Sequence, residues 1–356
     1  MKVALIGLLQ SGKSTLLAAV SGKAIAQGGP VGMDEAIVPV PDARIDWLSG
    51  HYKPKKTTYA TLDCLDVPGL DFENDHGRAA ARRLVSQIRT VDMLVLVIRA
   101  FGDATVPMYR SRVDPIKDLA ELHTELLLAD LELVTTRIEK LEKQVLRPTP
   151  TQAHDRVELA LQRKLQQAIE SERPISSVIE TEAEREMIKS LAFLTEKPMA
   201  VAVNVDEGQL DRAFDFSGSL DPSVPVVSIS AKLEYELSQL DPASRADFMA
   251  EMGIKASGVS QFVNSCYTAL GLVSFLTVGS DEVRAWPIRK GTVAVDAAGK
   301  VHSDIKRGFI RAEIFGFEDI QAHGSEKELR AAGRFRLEGR DYVVRDGDVI
   351  NFRFNV

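Results

Sequence analysis

The chain has 356 residues, 45% of them hydrophobic and 27% charged, with a formal net charge of −7. That length and composition suit two or three ordinary globular domains, and the acidic balance excludes a uniformly basic nucleic-acid binder. No apolar run reaches the ~18 residues of a membrane span, and no Cys/His cluster has zinc-ligand spacing. Cys64 and Cys266 both lie in apolar sequence, which fits buried thiols in a reducing cytoplasm better than a disulfide framework.

The N-terminus enters a strand at once, Val3–Ile6, with no basic-then-apolar leader before it. Gly7-Leu8-Leu9-Gln10-Ser11-Gly12-Lys13-Ser14 then satisfies G-x-x-x-x-G-K-[ST] at every fixed position, and Thr15–Val20 reads as a helix. Strand, loop and helix in that order are the setting in which this pattern cradles phosphates. Glycines let the backbone turn its N–H groups, here from Gln10 to Thr15, toward phosphate oxygens, and the helix N-terminus adds positive dipole. Lys13 is placed to reach the β/γ-phosphates of a nucleoside triphosphate, and the Ser14 hydroxyl to ligate Mg2+. The competing reading is a strand-to-helix turn with an incidental lysine.

The strand Thr61–Val67 ends in Asp66-Val67-Pro68-Gly69, fifty-two residues past Ser14. Alone, D-x-x-G is a common strand-ending turn. Paired with the phosphate loop it marks a GTPase-type switch, in which Asp66 holds Mg2+ and the Gly69 N–H faces the γ-phosphate. His76, in the loop beyond, can position water because imidazole donates or accepts near neutral pH; an exposed loop histidine is the plainer reading.

Further apolar strands, Met93–Ile98, Met199–Val203 and Val224–Ile229, alternate with helices and predict a doubly wound, mostly parallel α/β sheet. From Asp114 to about Lys197 the alternation gives way to helix. Leu119, Leu122, Leu126, Ala129, Leu133, Ile138, Leu141 and Val145 recur at helical spacing, Pro148-Thr149-Pro150 ends the pattern, and Val157, Leu161, Leu165 and Ile169 carry a second helix. An antiparallel helical hairpin is expected, either as an arm for a macromolecular partner or as two helices packed on the domain.

Switches with these phosphate motifs usually read guanine with N-K-x-D at the end of a later core strand. Here that strand ends Asn204-Val205-Asp206-Glu207: valine replaces lysine, aspartate comes one place early, and glutamate stands three residues after Asn204. Ser230-Ala231-Lys232 matches the S-A-K loop that bounds a base. The fold reads as GTPase-like with guanine reading broken.

After about Leu272 strand-like segments dominate: Ser274–Val278, Arg284–Ile288, Phe309–Phe315, Phe335–Leu337, Tyr342–Val344 and Val349–Phe354, the last two joined through Arg345-Asp346-Gly347-Asp348 as a hairpin. Residues 273–356 read as a small separate α+β domain, carrying 14 Lys+Arg against 13 Asp+Glu. Arg284, Lys306, Arg307 and Arg311 can contact RNA phosphates, whereas Trp286, Phe309 and Phe315 read as core.

At this point the chain resembles the Obg-like ATPases, also called the YchF family. The resemblance rests on Asn204-Val205-Asp206-Glu207, matching that family's N-x-x-E, on Val38-Pro39-Val40-Pro41-Asp42, and on Thr124-Glu125-Leu126, Ala129-Asp130-Leu131 and Ser230-Ala231-Lys232-Leu233-Glu234. It rests most strongly on the C-terminal block, including Glu282-Val283-Arg284-Ala285-Trp286, Lys306-Arg307-Gly308-Phe309-Ile310-Arg311-Ala312-Glu313 and Asn351-Phe352-Arg353-Phe354. It spans essentially the whole chain. It implies a P-loop nucleotide domain over 1–272, with a coiled-coil arm inserted at about 114–197, and a TGS domain of ubiquitin-like β-grasp form over 273–356. It further implies ATP binding and hydrolysis in preference to GTP, Mg2+ as cofactor, and a ribosome or RNA partner met through the arm and the TGS domain. Phe101 would cover the adenine face, as the family's Arg-x-Phe segment does, with core packing as its plainer role. Asn204, Val205 and Glu207 would meet the base edge, with Ser230, Ala231 and Lys232 closing the pocket.

The chain also departs from that family. Leu9, Gln10 and Ser11 replace Pro-Asn-Val in the phosphate loop, and Pro30 stands where the first switch carries its threonine, unless Thr57 or Thr58 substitutes. The second switch is shortened, and Leu70 follows Gly69 where small GTPases place glutamine. The expectation is a cytoplasmic switch with slow hydrolysis. A non-hydrolysing nucleotide-dependent scaffold and a true GTPase stand as alternatives, and the oligomeric state is left open.

Overall fold

Apolar runs bounded by glycine, proline and charge become the central strands of the computed structural model, which describes residues 1–24, 32–254 and 257–355. They divide into two compact units: 1–36 with 64–258, and 37–63 with 259–356. The second unit thus takes in 37–63 and begins before residue 273, unlike the simple division at that residue expected from the sequence.

In chain order the elements up to the tail are β1 (Lys2–Ile6), α1 (Lys13–Ser21), β2 (Asp34–Pro39), α2 (Ala43–Tyr52), β3 (Lys56–Thr58), β4 (Thr61–Asp66), α3 (Asp75–Gln87), β5 (Met93–Arg99), α4 (Pro115–Gln144), α5 (Gln152–Glu170), α6 (Glu182–Ile188), β6 (Met199–Asn204), β7 (Val226–Ile229), α7 (Ala231–Ser238), α8 (Pro242–Glu251) and α9 (Gly258–Ala269). The sheet order is β2-β4-β1-β5-β6-β7, and β1, β5, β6 and β7 pair parallel, with Val3 opposite Met93, Leu94 opposite Met199 and Val201 opposite Val226. Every residue of β5 and β6 is buried, as a parallel sheet covered on both faces requires.

The two readings of the helical pair divide along α4. Leu119, Leu122 and Leu126 join the core of the sheet. From Val134 onward α4 shares a separate core with α5 through Ile138, Leu141, Leu161, Leu165 and Ile169. α4 is 30 residues, about 45 Å long at 1.5 Å per residue. Between the two cores Asp130, fully buried, accepts from Arg89 Nη1 at 2.7 Å and from the Leu194 and Thr195 amides at 3.1 and 2.9 Å. Among the described residues no helix is long and apolar enough to cross a membrane.

The second unit continues with β8 (Leu272–Thr277), β9 (Glu282–Arg289), α10 (Ala294–Val301), α11 (Ser303–Arg307), β10 (Phe309–Gly316), α12 (Phe317–His323), α13 (Glu326–Ala331), β11 (Arg336–Glu338) and β12 (Asp348–Phe354). Its sheet order is β11-β10-β12-β8-β9-β3, with β8 and β12 parallel at the centre. That is a β-grasp arrangement, extended by β3 running parallel to β9. Ala294, Ala297 and Ala298 of α10 pack with Phe275, Ile288, Ile314 and Ile350. The expected hairpin at 345–348 is absent. Val343 bridges Val293, while Asp348 accepts from Tyr342 Oη and the Arg345 amide, both at 2.8 Å, closing a local turn instead.

Candidate nucleotide site

The phosphate loop owes its path to three glycines. A Cβ on Gly7 would lie 2.3 Å from the Val97 carbonyl oxygen, and one on Gly12, at φ 89°, would lie 2.1 Å from Asn204 Nδ2. Gly69, in the second switch, is confined less severely, its Cβ meeting Leu9 Cδ2 at 2.9 Å and Leu9 Cα at 3.0 Å. There the loop and the second switch are tied by Leu9 N–H to Leu70 O at 3.1 Å and Leu70 N–H to Gly7 O at 3.0 Å. α1 starts at Lys13 with no side-chain cap and no carboxylate in its first turn, so its leading amides, from Lys13, Ser14 and Thr15, are left for an anion. Ser11 is buried and Gln10, at φ 56°, is exposed.

Lys13 is 6% exposed, and its Nζ donates to Gly7 O at 3.1 Å, Leu8 O at 3.2 Å and Ser11 Oγ at 3.4 Å. Its ammonium therefore holds its own loop, in addition to the ligand-facing role expected from the motif. Burial lowers its pKa from 10.5 to about 8, against the raising pull of Asp66. Ser14 Oγ donates to Asp66 Oδ2 at 2.5 Å. Burial also raises the Asp66 pKa, opposed by the Ser14 hydrogen bond and by Lys13, with Asp34 adding to the rise. Asp66 Oδ1 is buried without a hydrogen-bond partner. A hydroxyl and a carboxylate oxygen with unused acceptor capacity are hard oxygen donors, the kind Mg2+ selects.

The base side is built differently. Asn204 Nδ2 donates to Ser11 O at 3.1 Å and Oδ1 accepts from Ala231 N–H at 3.0 Å, so the side chain joins the phosphate loop to the S-A-K loop. Val205 is 2% exposed and lies in the sheet core, its amide bonded to Ile229 O at 3.0 Å. Its side chain thus packs into the core directly after the end of β6, and a base-edge contact from Val205 would fall to its backbone. Glu207 is exposed at the start of a 3-10 turn. Ser230 caps α7 through Leu233 N–H at 3.4 Å, Ala231 is buried and Lys232 is exposed. Phe101 is half-buried, with the Arg99 guanidinium 4.3 Å from its ring centroid. Arg99 itself, 3% exposed, was missed by sequence reasoning; a cation ending an otherwise apolar strand was the available signal.

In the second switch Leu70 and Phe72 are each 1% exposed, within the sheet core. His76 is exposed on the first turn of α3, whose cap is Asn74 Oδ1 accepting from Gly77 N–H at 2.8 Å. Pro30 lies outside the described residues. The substitutes considered for its missing hydroxyl are committed elsewhere: Thr57 Oγ1 bonds Ser49 Oγ at 2.9 Å and Thr58 Oγ1 bonds Glu282 Oε1 at 2.6 Å, both within the second unit. Of the tail cations, Lys306 pairs with Asp296 and Arg307 with Asp304, each at 2.8 Å. Arg284 lies 3.9 Å over the Trp286 ring, and Arg311 is exposed.

A phosphate loop opening α1, a strand-ending aspartate on its serine, and an asparagine joining it to an S-A-K loop define a P-loop protein of the GTPase class. Residues 2–137 match the family described as 50S ribosome-binding GTPase, and residues 272–355 match the YchF-GTPase C-terminal family, described as a protein of unknown function. The chain is 38% identical to the ribosome-binding ATPase YchF of Bacillus subtilis, over 99% of this chain and 98% of that one. It is 34% identical to human Obg-like ATPase 1, over 100% of this chain and 92% of that one. The solved YchF GTPase of Schizosaccharomyces pombe superposes with a TM-score of 0.85 at 32% identity, covering 99% and 97% of the two chains. The chain belongs to the YchF/Obg-like ATPase family.

Proposed function

We propose that the chain binds ATP with Mg2+ in preference to GTP, hydrolyses it slowly, and acts in the cytoplasm as a nucleotide-dependent switch on the ribosome. The observation that carries the reading is the unpartnered, buried Asp66 Oδ1 beside a Ser14 hydroxyl. With Lys13 and the uncapped α1 amides, they form one anion- and cation-binding cluster. Ser14 and Asp66 would hold Mg2+, whose charge offsets that of the β/γ-phosphates, and the Gly69 amide would sense the γ-phosphate. Preference for ATP is supported by the absence of an aspartate three residues after Asn204; Glu207 stands there, exposed. Ribosome association is supported by the names of the relatives. The helical arm, whose outer part has its own core, and the tail, which would be the TGS domain, are the surfaces we assign to it.

Slow hydrolysis is supported by the second switch. Leu70 is buried where glutamine would orient water, and His76 is exposed on the first turn of α3. The same burial favours, as a second reading, a nucleotide-dependent scaffold that does not hydrolyse. Single-turnover assays at saturating MgATP, with and without ribosomes, separate the two. Turnover below the ~1 s⁻¹ low end of enzyme rates, stimulated by ribosomes, is expected. No product in either condition leaves the scaffold reading standing, and tighter GTP than ATP binding in competition overturns the base assignment.

A further inference from the structure

Asp206 stands one place ahead of the position from which a carboxylate reads guanine, yet it has a definite partner. Its Oδ2 accepts the Gly102 N–H at 3.0 Å. Two residues earlier Asn204 O accepts the Ala100 N–H at 2.8 Å, so the end of β6 clips the chain on both sides of Phe101. Beyond the clip, the loop is wrapped around Arg99. The guanidinium donates to the carbonyls of Phe101, Val106 and Pro107 at 3.3, 3.2 and 2.7 Å and covers one face of the Phe101 ring. The edge of that ring lies 3.8 Å from the point a Cβ on Gly12 would occupy, beside the phosphate loop. The Arg99 bonds all fall within the loop itself; Asp206 supplies the side-chain tie between this shelf and the base-reading segment.

We propose that Asp206 is a positioning residue for the base pocket: by holding Gly102 it fixes the arginine-backed ring of Phe101 beside the phosphate loop, and so governs preference among bases without touching one. The inference rests on the nucleotide-binding reading above. An aspartate whose Oδ2 is engaged by a backbone amide does not present the pair of free oxygens that guanine needs, which accords with its place in the sequence. An aromatic ring contributes to base affinity by stacking only if its plane is held where the base lies.

The test is a set of calorimetric titrations of the full chain, as wild type, Asp206→Ala and Asp206→Asn, with magnesium complexes of ATP, UTP and inorganic tripolyphosphate. Asp206→Ala is expected to weaken ATP about tenfold, the scale of one lost base–aromatic contact, and to leave tripolyphosphate unchanged. UTP, whose smaller ring stacks less, should lose less than ATP. Asp206→Asn keeps an oxygen able to accept the Gly102 N–H and should retain most of the ATP affinity. Unchanged ATP binding by Asp206→Ala overturns the proposal, and so does an equal loss for ATP and tripolyphosphate, because the residue would then act through the phosphate loop. Wild-type protein that binds tripolyphosphate and prefers neither ATP nor UTP sinks this inference and spares the phosphate site. Failure of all three probes sinks both.

Discussion

On the phosphate side of the site Asp66 keeps an oxygen for a ligand and Lys13 is held by its own loop, whereas on the base side Asn204, Val205 and Asp206 are engaged by more distant parts of the fold. Lys13 Nζ rests on three bonds of 3.1–3.4 Å to its own loop, and Asp66 keeps one oxygen without a partner. Asn204, by contrast, holds two loops with one amide, Val205 fills the core, and Asp206 ties down the segment after β5. The difference follows from charge. Phosphates are recognised by charged and backbone groups held out of water, which stabilises binding and destabilises the empty protein. A flat base is bounded by a rigid frame, whose own polar groups must be satisfied whether or not a ligand is present.

The largest expected effect breaks the phosphate side. Lys13→Met keeps the aliphatic stem and removes the ammonium. ATP affinity should fall at least about a hundredfold, from the loss of charge-assisted bonds worth roughly 1.5–3 kcal/mol each. Yet the ligand-free variant should melt no lower than wild type, because the lowered pKa of Lys13 marks a charge held against its desolvation. A clear drop in the melting temperature would mean that the three bonds from Lys13 to its loop outweigh the cost of burying its charge, and the contrast between the two sides would fail.

Asn204→Ala probes the base side and should show the opposite signature. Ser11 O and the Ala231 N–H would lose their partners in a buried setting, at roughly 1–3 kcal/mol for each group left unsatisfied. Denaturant unfolding of the ligand-free protein should therefore register the substitution before any nucleotide is added. Unchanged unfolding with weakened ATP binding would make Asn204 a base contact first and a tether second.

How far the two sides were legible in the sequence follows the same division. Within the phosphate loop Lys13 and the groups it bonds, Gly7 O, Leu8 O and Ser11 Oγ, lie close together in sequence, so the motif carries much of its geometry with it. The tie between Asp206 and Gly102 joins positions 104 residues apart, and the burial of Val205, just past the end of β6, depends on packing against Ile229 of β7, which composition does not encode. The placing of 37–63 with the tail was hidden for a related reason. β3 has three residues with little apolar character, and it forms because Lys56, Thr57 and Thr58 pair with Glu282, Val283 and Arg284. Sequence patterning reports burial of side chains, and this strand is held by backbone pairing. The second switch was legible only in outline: Leu70 announced the missing glutamine, but its burial against the sheet needed coordinates.

The smallest effect sharpens the comparison through pH. In the ligand-free protein burial brings the Lys13 pKa down to about 8, so the ammonium is lost as pH rises through that value, while an unfolded chain keeps it to about 10.4. Between those limits the unfolded state binds more protons than the folded one, and Lys13 alone makes stability rise with pH there. Affinity for ATP moves the other way, because the phosphates select the charged form and a growing fraction of the empty protein must first regain a proton. ATP titrations in buffers from pH 7 to 10 should show affinity level below about 8 and falling by up to about tenfold per unit above it. The Lys13→Met variant should lack that bend. The base side adds no such bend: Asn204 and Val205 do not titrate, so the ratio of ATP to GTP affinity should stay constant from about pH 7 to 9, below the range in which guanine itself loses its N1 proton. A ratio that shifts near pH 8 would mean that the lysine and the base pocket are coupled, and that the two sides of the site are not separable.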